Sequence, residues 1–381
     1  MPPIVILGTG LAGYTLAKEI RKRDRDVPLR LVTADDGSAY SKPMLSNALG
    51  RGRTAEQLIM ASAAHMAARL DARIDTGTRV TAIDRSARQV DTDKGTLDYS
   101  KLVLATGADP VRLAIGGDGA DDILSINDLD DYRRFRERLA EDDGLVILGG
   151  GLIGCEFAND LVAGGHTVTV VDPAAEPLGR LLPEAGARHL QKALSEAGVQ
   201  WQLGKTASTV DREKNGCHVT LSDGTVLHAD LVLSAVGLRP RTGLATMAGL
   251  PTARGIQVDR RLQTADPDIF ALGDCAEVDG LVLPFVTPLM HGARALAATL
   301  TGTPAPVVYP AMPVVVKTPA CPVVVAPPAP GTEGEWRVEQ TGAGTLARFE
   351  QAGGVLAGFA LTGDAVSQKQ RLTRELPPLL A

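Results

Sequence analysis

The stretch that decides the fold is Val146-Ile-Leu-Gly-Gly-Gly-Leu-Ile-Gly-Cys-Glu156. An apolar run ends in Gly149-x-Gly151-x-x-Gly154, and a segment of helical character carrying Glu156 follows. A wholly apolar run suits a parallel strand covered on both faces. The three glycines have separate duties: a tight turn, close approach of backbone to a pyrophosphate, and close packing of helix on strand. The helix behind them offers its first N–H groups and its dipole to the phosphates. The run Thr167-Val-Thr-Val-Val171 completes the unit and ends in Asp172, at a spacing that suits a carboxylate bonded to a ribose 2′-hydroxyl. No arginine follows directly in Asp172-Pro-Ala-Ala-Glu176, so a 2′-phosphate would meet repulsion and NADH is favoured over NADPH; Arg180 is near enough to keep the choice open.

The same element opens the chain as Ile4-Val-Ile-Leu-Gly8-Thr9-Gly10-Leu11-Ala12-Gly13, with a helix to residue 23 and a second strand over 29–33. The position of a ribose-binding acid falls on Thr33, followed by Ala34, Asp35 and Asp36. A lone glycine signature fits many α/β turns, but here strand, helix and second strand all agree. Two dinucleotide sites in one polypeptide imply an enzyme that passes electrons from one dinucleotide to another.

With 381 residues the chain has enough material for two or three domains. Only 3% are aromatic, so the core must be built from Ala, Val and Leu. A net charge of −6 argues against nonspecific nucleic-acid binding, while allowing a local basic patch. No apolar run approaches a membrane span, the N-terminus enters a strand directly, and the expected location is cytoplasmic. Cys155, Cys217, Cys275 and Cys321 are scattered, so neither a zinc knuckle nor a redox dithiol is written here and no metal is expected.

Between the two units, a loop carries Lys42 before Pro43, residues 54–70 look helical, and strand-like pieces at 78–83 and 88–91 precede a buried strand ending in Ala105-Thr106-Gly107. Residues 109–127 read as a crossover, and a charged helix follows over about 129–141. Beyond the second unit come a helix over 184–199 and strands around Asn215-Gly216 and Asp223-Gly224. A second crossover follows at Gly237-Leu-Arg-Pro240, then an apolar strand with Gly273-Asp274 at its tip. A helix over 288–300, a Pro-rich stretch over 304–330 and a hairpin-like tail with a short helix end the chain.

In this order, Gly8-x-Gly10-x-x-Gly13, Ala105-Thr-Gly107, Gly149-x-Gly151-x-x-Gly154 and Gly273-Asp274 resemble the flavoprotein disulfide-reductase superfamily with two dinucleotide domains. Tyr40-Ser-Lys-Pro-Met-Leu-Ser46, Leu152-Ile-Gly-Cys-Glu-Phe-Ala-Asn-Asp160, Ser234-Ala-Val-Gly-Leu-Arg-Pro240, Gly273-Asp-Cys-Ala-Glu277 and Val316-Lys-Thr-Pro-Ala-Cys-Pro322 are similar to its NADH:rubredoxin reductase branch. Ferredoxin and putidaredoxin reductases, the near relatives, carry an Arg-Pro-Pro-Leu-Ser-Lys loop. Here Lys42 takes the arginine position and Asn47 the final lysine position, which favours the rubredoxin branch.

The resemblance implies an α/β fold of two Rossmann-like domains and a small α+β C-terminal domain. FAD would occupy residues 1–110 and 240–305, NADH the inserted residues 111–239, and residues 306–381 would form the third unit. Gly8 to Gly13 would hold the FAD pyrophosphate, with Thr33 and Ala34 beside its adenosine and Asp274 on a ribityl hydroxyl, helped by the dipole of a helix after it. Lys42 and Glu156, the expected catalytic pair, would meet beneath the isoalloxazine. Val80, Val286 and Lys317 would contact adenine, the flavin ring and its polar edge; the plain readings are core for the two valines and an edge-strand charge for Lys317. Gly149, Gly151, Gly154 and Asp172 would hold NADH, and Gly237 is a further cofactor-binding candidate. Cys155 and Cys275 read as small buried thiols, and His291 as structural.

Implied with the fold is hydride transfer from NADH to flavin N5 without a protein acid or base. Single electrons would then pass to rubredoxin, a small acidic iron–thiolate protein, docking near the flavin edge in a chain such as alkane hydroxylation or oxygen detoxification. The rivals are a ferredoxin reductase of an oxygenase system, a flavin-bearing redox sensor, and a peroxide or disulfide reductase. The last needs a nucleophilic cysteine in residues 35–50, which have none. No seam for self-association is visible, and a monomer is expected.

Overall fold

The computed structural model describes residues 1–141 and 143–381. Ile4–Leu7 lies at the centre of a five-stranded parallel sheet, between Leu29–Val32 and Lys101–Leu104, with Arg73–Asp75 and Ile269–Ala271 at the edges. All four side chains of Ile4–Leu7 are buried, as both-faced coverage requires. On one face the helix Leu11–Arg23 packs against Val286–Leu300. Leu16 and Ile20 of the first helix are fully buried, each removal from water contributing roughly 1.5–3 kcal/mol.

The edge strand Ile269–Ala271 arrives from far down the chain to pair with Lys101–Leu104, and much of what separates the two is an insertion. That insertion repeats the plan. Gly144–Leu148 pairs in parallel with Thr167–Asp172 and Leu231–Ser234, and Val199–Leu203 closes the sheet. Each parallel sheet has a three-stranded antiparallel companion, Val80–Asp84 with Gln89–Thr92 and Gly95–Asp98, and Ala207–Arg212 with Cys217–Leu221 and Val226–Ala229. The two crossovers run side by side, because Ala108–Pro110 pairs antiparallel with Leu238–Pro240.

The tail is a five-stranded antiparallel sheet in the order Val314–Val316, Val323–Ala326, Leu356–Gly363, Gly344–Glu350, Glu335–Thr341. It shares one apolar core with the insertion and the 45–58 loop: Leu45, Leu49, Phe157, Leu161, Val316, Val323 and Ala360 belong to the same buried cluster. One expectation fails. Residues 54–70 are not a single helix but Ala55–Leu58, the strand Ile59–Ala61 and Ala63–Leu70. Ile59–Ala61 pairs with Ala39–Tyr40, and Ser62 caps the second helix by accepting the His65 N–H at 3.3 Å. A sheet partner and a new cap outweigh alanine's helix preference.

Candidate functional site

Each parallel sheet ends in the same turn. Gly8 and Gly149 sit at φ +113° and +109°, conformations that side-chain-bearing residues rarely adopt. Gly10 and Gly151 then cap their helices without any side-chain hydrogen bond, and neither first turn holds an acid. The leading N–H groups are therefore left for an anion. A Cβ on Gly10, Gly151, Gly107 or Gly237 would meet nothing within 4 Å, whereas on Gly13 or Gly154 it would collide with the preceding turn's carbonyl oxygen. The backbone thus leaves two open cradles at the C-terminal ends of the strands, and two dinucleotide pyrophosphates fit them.

Around the first cradle, Asp35 is the hub. Its Oδ1 accepts from Thr33 Oγ1 at 2.7 Å, Thr9 Oγ1 at 3.3 Å and the Gly37 N–H at 2.9 Å. Sequence reasoning settled on Thr33 and Ala34 and left this acid just beyond. Val80 is half-buried against the first core, while Val286 opens its helix 40% exposed, so the core reading suits only Val80. Ala105 packs its carbonyl on Gly8. Thr106 and Gly107 are tied to the return crossover: Thr106 Oγ1 donates to the Arg241 carbonyl at 3.2 Å, and the Arg241 N–H to the Gly107 carbonyl at 3.0 Å. Gly273 lies against Ala12, bringing Asp274 to the first turn.

At the second cradle Asp172 folds back over the turn. Its carboxylate accepts the Gly150 N–H at 2.5 Å and the Ala174 N–H at 2.7 Å. Glu176, the next acid, is held by Arg188 at 3.6 Å.

The ion pair between the cradles is not the expected one. Lys42 does not meet Glu156. Its Nζ donates to Asn127 Oδ1 at 2.7 Å and lies 3.9 Å from Asp274. Glu156, 4% exposed, is held by Lys317: the backbone N–H donates to Oε1 at 2.9 Å and Nζ to Oε2. Ser46 completes the cluster, donating to Glu156 at 2.5 Å and accepting from Lys317 Nζ at 2.8 Å. The Pro43 carbonyl accepts from the same Nζ at 2.7 Å. The reason is the short helix Lys42–Asn47, whose two ends serve different partners. Lys42 at its start is taken by Asn127 and Asp274, and Ser46 near its end meets Glu156. Asn47, at the lysine position of the ferredoxin-reductase loop, has a buried Oδ1 without a partner. The helix expected after Asp274 does not follow directly: the strand Ala276–Val278 intervenes, and the helix starts at Val286, with Leu289 close to Gly273.

Burial lowers the Lys42 pKa, with Asp274 opposing; burial raises the Asp274 pKa, with Lys42 opposing. Each charge is thus expensive alone and moderated by the other. Three polar residues on one face of Leu152–Ala163 stitch the surroundings together. Beside Glu156, Asn159 accepts the Ala320 N–H at 3.0 Å, and Asp160 accepts the Leu49 and Gly50 N–H groups at 2.9 and 3.0 Å. Sequence reasoning missed Asn159, Asp160 and Asn127. For the first two a signal existed, since positions 156, 159 and 160 share the i, i+3, i+4 spacing of one helix face; for Asn127 there was none. A groove of about 800 Å³ between Glu184–Glu196 and the Thr341–Gly344 turn touches none of these residues.

All four thiols are buried and free, and burial raises the pKa of each. His291 is half-buried, its pKa lowered chiefly by burial. A thiol whose folded pKa is raised favours the neutral form, and that preference is lost only as pH climbs through the raised value. The native protein is therefore expected to leave a disulfide reagent unreacted at mildly alkaline pH and to release its thiols only in denaturant. Rapid native reaction of any one, with loss of NADH oxidation, would reopen the dithiol route.

Two dinucleotide cradles joined by a lysine–glutamate pair whose carboxylate is buried, with no paired thiols, define a flavin- and nicotinamide-linked oxidoreductase. The chain belongs to the pyridine nucleotide-disulphide oxidoreductase family, whose model matches residues 2–298. Residues 306–376 match the rubredoxin binding C-terminal domain. Among the relatives, the rubredoxin-NAD(+) reductase of Alcanivorax borkumensis is 50% identical over the whole of both chains. The rubredoxin-NAD(+) reductase of Acinetobacter baylyi is 49% identical over 98% of this chain and 97% of its own. Among solved structures, the covalent putidaredoxin reductase–putidaredoxin complex superposes with a TM-score of 0.88 at 29% identity, covering 99% of this chain and 94% of that one. FAD and NADH are the cofactors of this enzyme class, and the open cradles suit them. No helix among the described residues is long and apolar enough to cross a membrane.

Proposed function

We propose that this chain is an FAD-dependent NADH:rubredoxin oxidoreductase. The observation that carries the reading is the Lys317–Glu156 pair, which joins the segment matched by the rubredoxin-binding model to the helix of the NADH turn. Residues 1–110 and 240–305 would hold FAD through Gly8 to Gly13, Thr33, Ala34, Asp35, Val80, Ala105 to Gly107, Gly273, Asp274 and Val286. The inserted residues 111–239 would hold NADH through Gly149, Gly151, Gly154, Asp172 and Gly237, and 306–381 would receive the partner. FAD supplies what no side chain here can, acceptance of a hydride and release of its electrons one at a time.

The protein's part is electrostatic. Lys317 would present a fixed positive charge to the negative charge that builds up on a bound flavin as it is reduced. Glu156 and Ser46 hold that ammonium in place and limit the cost of burying it. Lys42 and Asp274 form a second, weaker pair beside the first turn. With no dithiol to relay them, electrons leave directly for an external carrier. An acidic iron–thiolate partner calls for basic docking, so NADH-driven rubredoxin reduction, followed anaerobically by bleaching of the iron–thiolate bands, should slow as salt rises. Failure of rubredoxin to accept electrons at any ionic strength would end the proposal. The four reduced cysteines favour the cytoplasm, and a monomer completes the reading.

The coenzyme preference follows from Asp172. A 2′-phosphate brought beside this carboxylate meets a like charge, so kcat/KM with NADH should exceed that with NADPH by about a hundredfold. Asp172→Ser should narrow the gap by roughly tenfold, because one repulsive contact is removed without adding a cation. Equal or better kcat/KM with NADPH in the unaltered protein would refute the role given to Asp172.

A further inference from the structure

Away from both cradles, the antiparallel sheet of the insertion carries three side chains that nothing in the proposed reaction uses. His218, on Cys217–Leu221, stands directly opposite His228, on Val226–Ala229, in the antiparallel register. Directly opposed residues share one face of a sheet, and their side chains are held close by the backbone rather than by chance rotamers. The imidazole centroids are 5.7 Å apart and the rings nearly perpendicular, at 76°. Glu213 reaches both from the adjoining hairpin turn, where its N–H donates to the Gly216 carbonyl at 3.1 Å. A single carboxylate oxygen, Oε2, lies 3.2 Å from His218 Nε2 and 3.4 Å from His228 Nδ1.

Those separations are the ones a tetrahedral metal centre imposes. Nitrogen and oxygen donors at bond lengths of 2.0–2.1 Å stand about 3.3 Å from one another around Zn²⁺. All three donor atoms lie within 4.8 Å of one another, so one ion bridges them with small side-chain rotations. The side chains are 38–55% exposed, which leaves an open face for the ion to enter and for water to complete its shell.

We propose that Glu213, His218 and His228 form a binding site for a divalent transition metal. Two imidazoles and one carboxylate select Zn²⁺, Cu²⁺ or Ni²⁺ over Mg²⁺ and Ca²⁺, which take oxygen donors. The ion would pin the 213–216 turn to the strands Cys217–Leu221 and Val226–Ala229. The inner face of those strands, through Val210, Val219, Leu221 and Ala229, packs on Val146, Leu148 and Val171 of the nucleotide-binding sheet. The site is therefore a clip on the sheet that supports the second cradle.

The test uses the tag-free, FAD-loaded protein after chelator treatment. Titration with Zn²⁺ by calorimetry should give one equivalent, and Cu²⁺ at one equivalent should show two-nitrogen ligation by electron paramagnetic resonance. His218→Ala and His228→Ala should each weaken Zn²⁺ binding by about tenfold or more, and Glu213→Gln should weaken it as well. Zn²⁺ should raise the Tm of the unaltered protein and leave that of the His218→Ala/His228→Ala double variant unchanged. NADH oxidation by the metal-free variants should stay at the level of the unaltered enzyme. Absence of Zn²⁺ and Cu²⁺ uptake, or uptake undiminished in the double variant, overturns the proposal.

Discussion

Lys317→Met is expected to slow NADH-driven reduction of the bound flavin by about a hundredfold, the scale of losing one preorganised charge aimed at a developing one. The side chain is the only ammonium on Glu156 among the described residues, and its hydrogen bonds to Pro43, Ser46 and Glu156 leave it no freedom to be replaced by a neighbour. Lys42, the nearest candidate in the sequence, is committed to Asn127 and Asp274. Stability should fall too, by about 2–3 kcal/mol, less than the largest losses for buried pairs because Ser46 and the residue-317 N–H still serve Glu156. The double variant Lys317→Met/Glu156→Gln separates the two effects. It removes the uncompensated carboxylate, so stability should recover while hydride transfer stays slow and the flavin potential stays more negative than in the unaltered protein. Recovery of both would reduce Lys317 to a structural role. Stopped-flow reduction and denaturant melts read the two quantities independently.

The second large effect contrasts two glycines three residues apart. A Cβ on Gly154 would stand 1.8 Å from the Gly149 carbonyl oxygen and 2.9 Å from its carbon, so Gly154→Ala must push the helix off the sheet. The expected cost is at least about 3 kcal/mol, at the upper end of overpacking, with a loss of soluble protein. A Cβ on Gly151 meets nothing within 4 Å. Gly151→Ala should therefore fold normally and lose only the room kept for the coenzyme, raising KM for NADH about tenfold or more with Tm unchanged. If Gly151→Ala bound NADH normally, the cradle would not be where the coenzyme lies. If Gly154→Ala were stable, the close helix–strand contact would not carry the turn.

The parallel sheets and their turns were legible because both the apolar runs and the glycine spacings are local. Strand, turn and helix lie within a few tens of residues, and each glycine has its own steric reason. The third strand order, with Ile269–Ala271 rejoining the first sheet, was legible only through the order of motifs along the chain. The division of residues 54–70 was not, since the partner of Ile59–Ala61 is a two-residue strand with no periodicity of its own. The site was half legible. Glu156 and Lys317 were both marked, but their pairing depends on how the tail sheet docks on the insertion. A sequence separation of 161 residues leaves no local trace of that contact. Asn47 was the one clue: a loop that lacks its usual lysine must draw its cation from elsewhere, and Lys317 provides it.

Under the proposed function, electrons leave this protein singly for rubredoxin rather than through a thiol pair or to a ferredoxin. The most direct measurement mixes NADH-reduced enzyme with purified rubredoxin or a [2Fe–2S] ferredoxin in an anaerobic stopped-flow experiment at one ionic strength. Rubredoxin should be reduced fast enough to support steady-state turnover, with the ferredoxin well behind it and thiol-blocking reagents without effect on either. Equal or faster reduction of the ferredoxin would contradict the assignment of the partner.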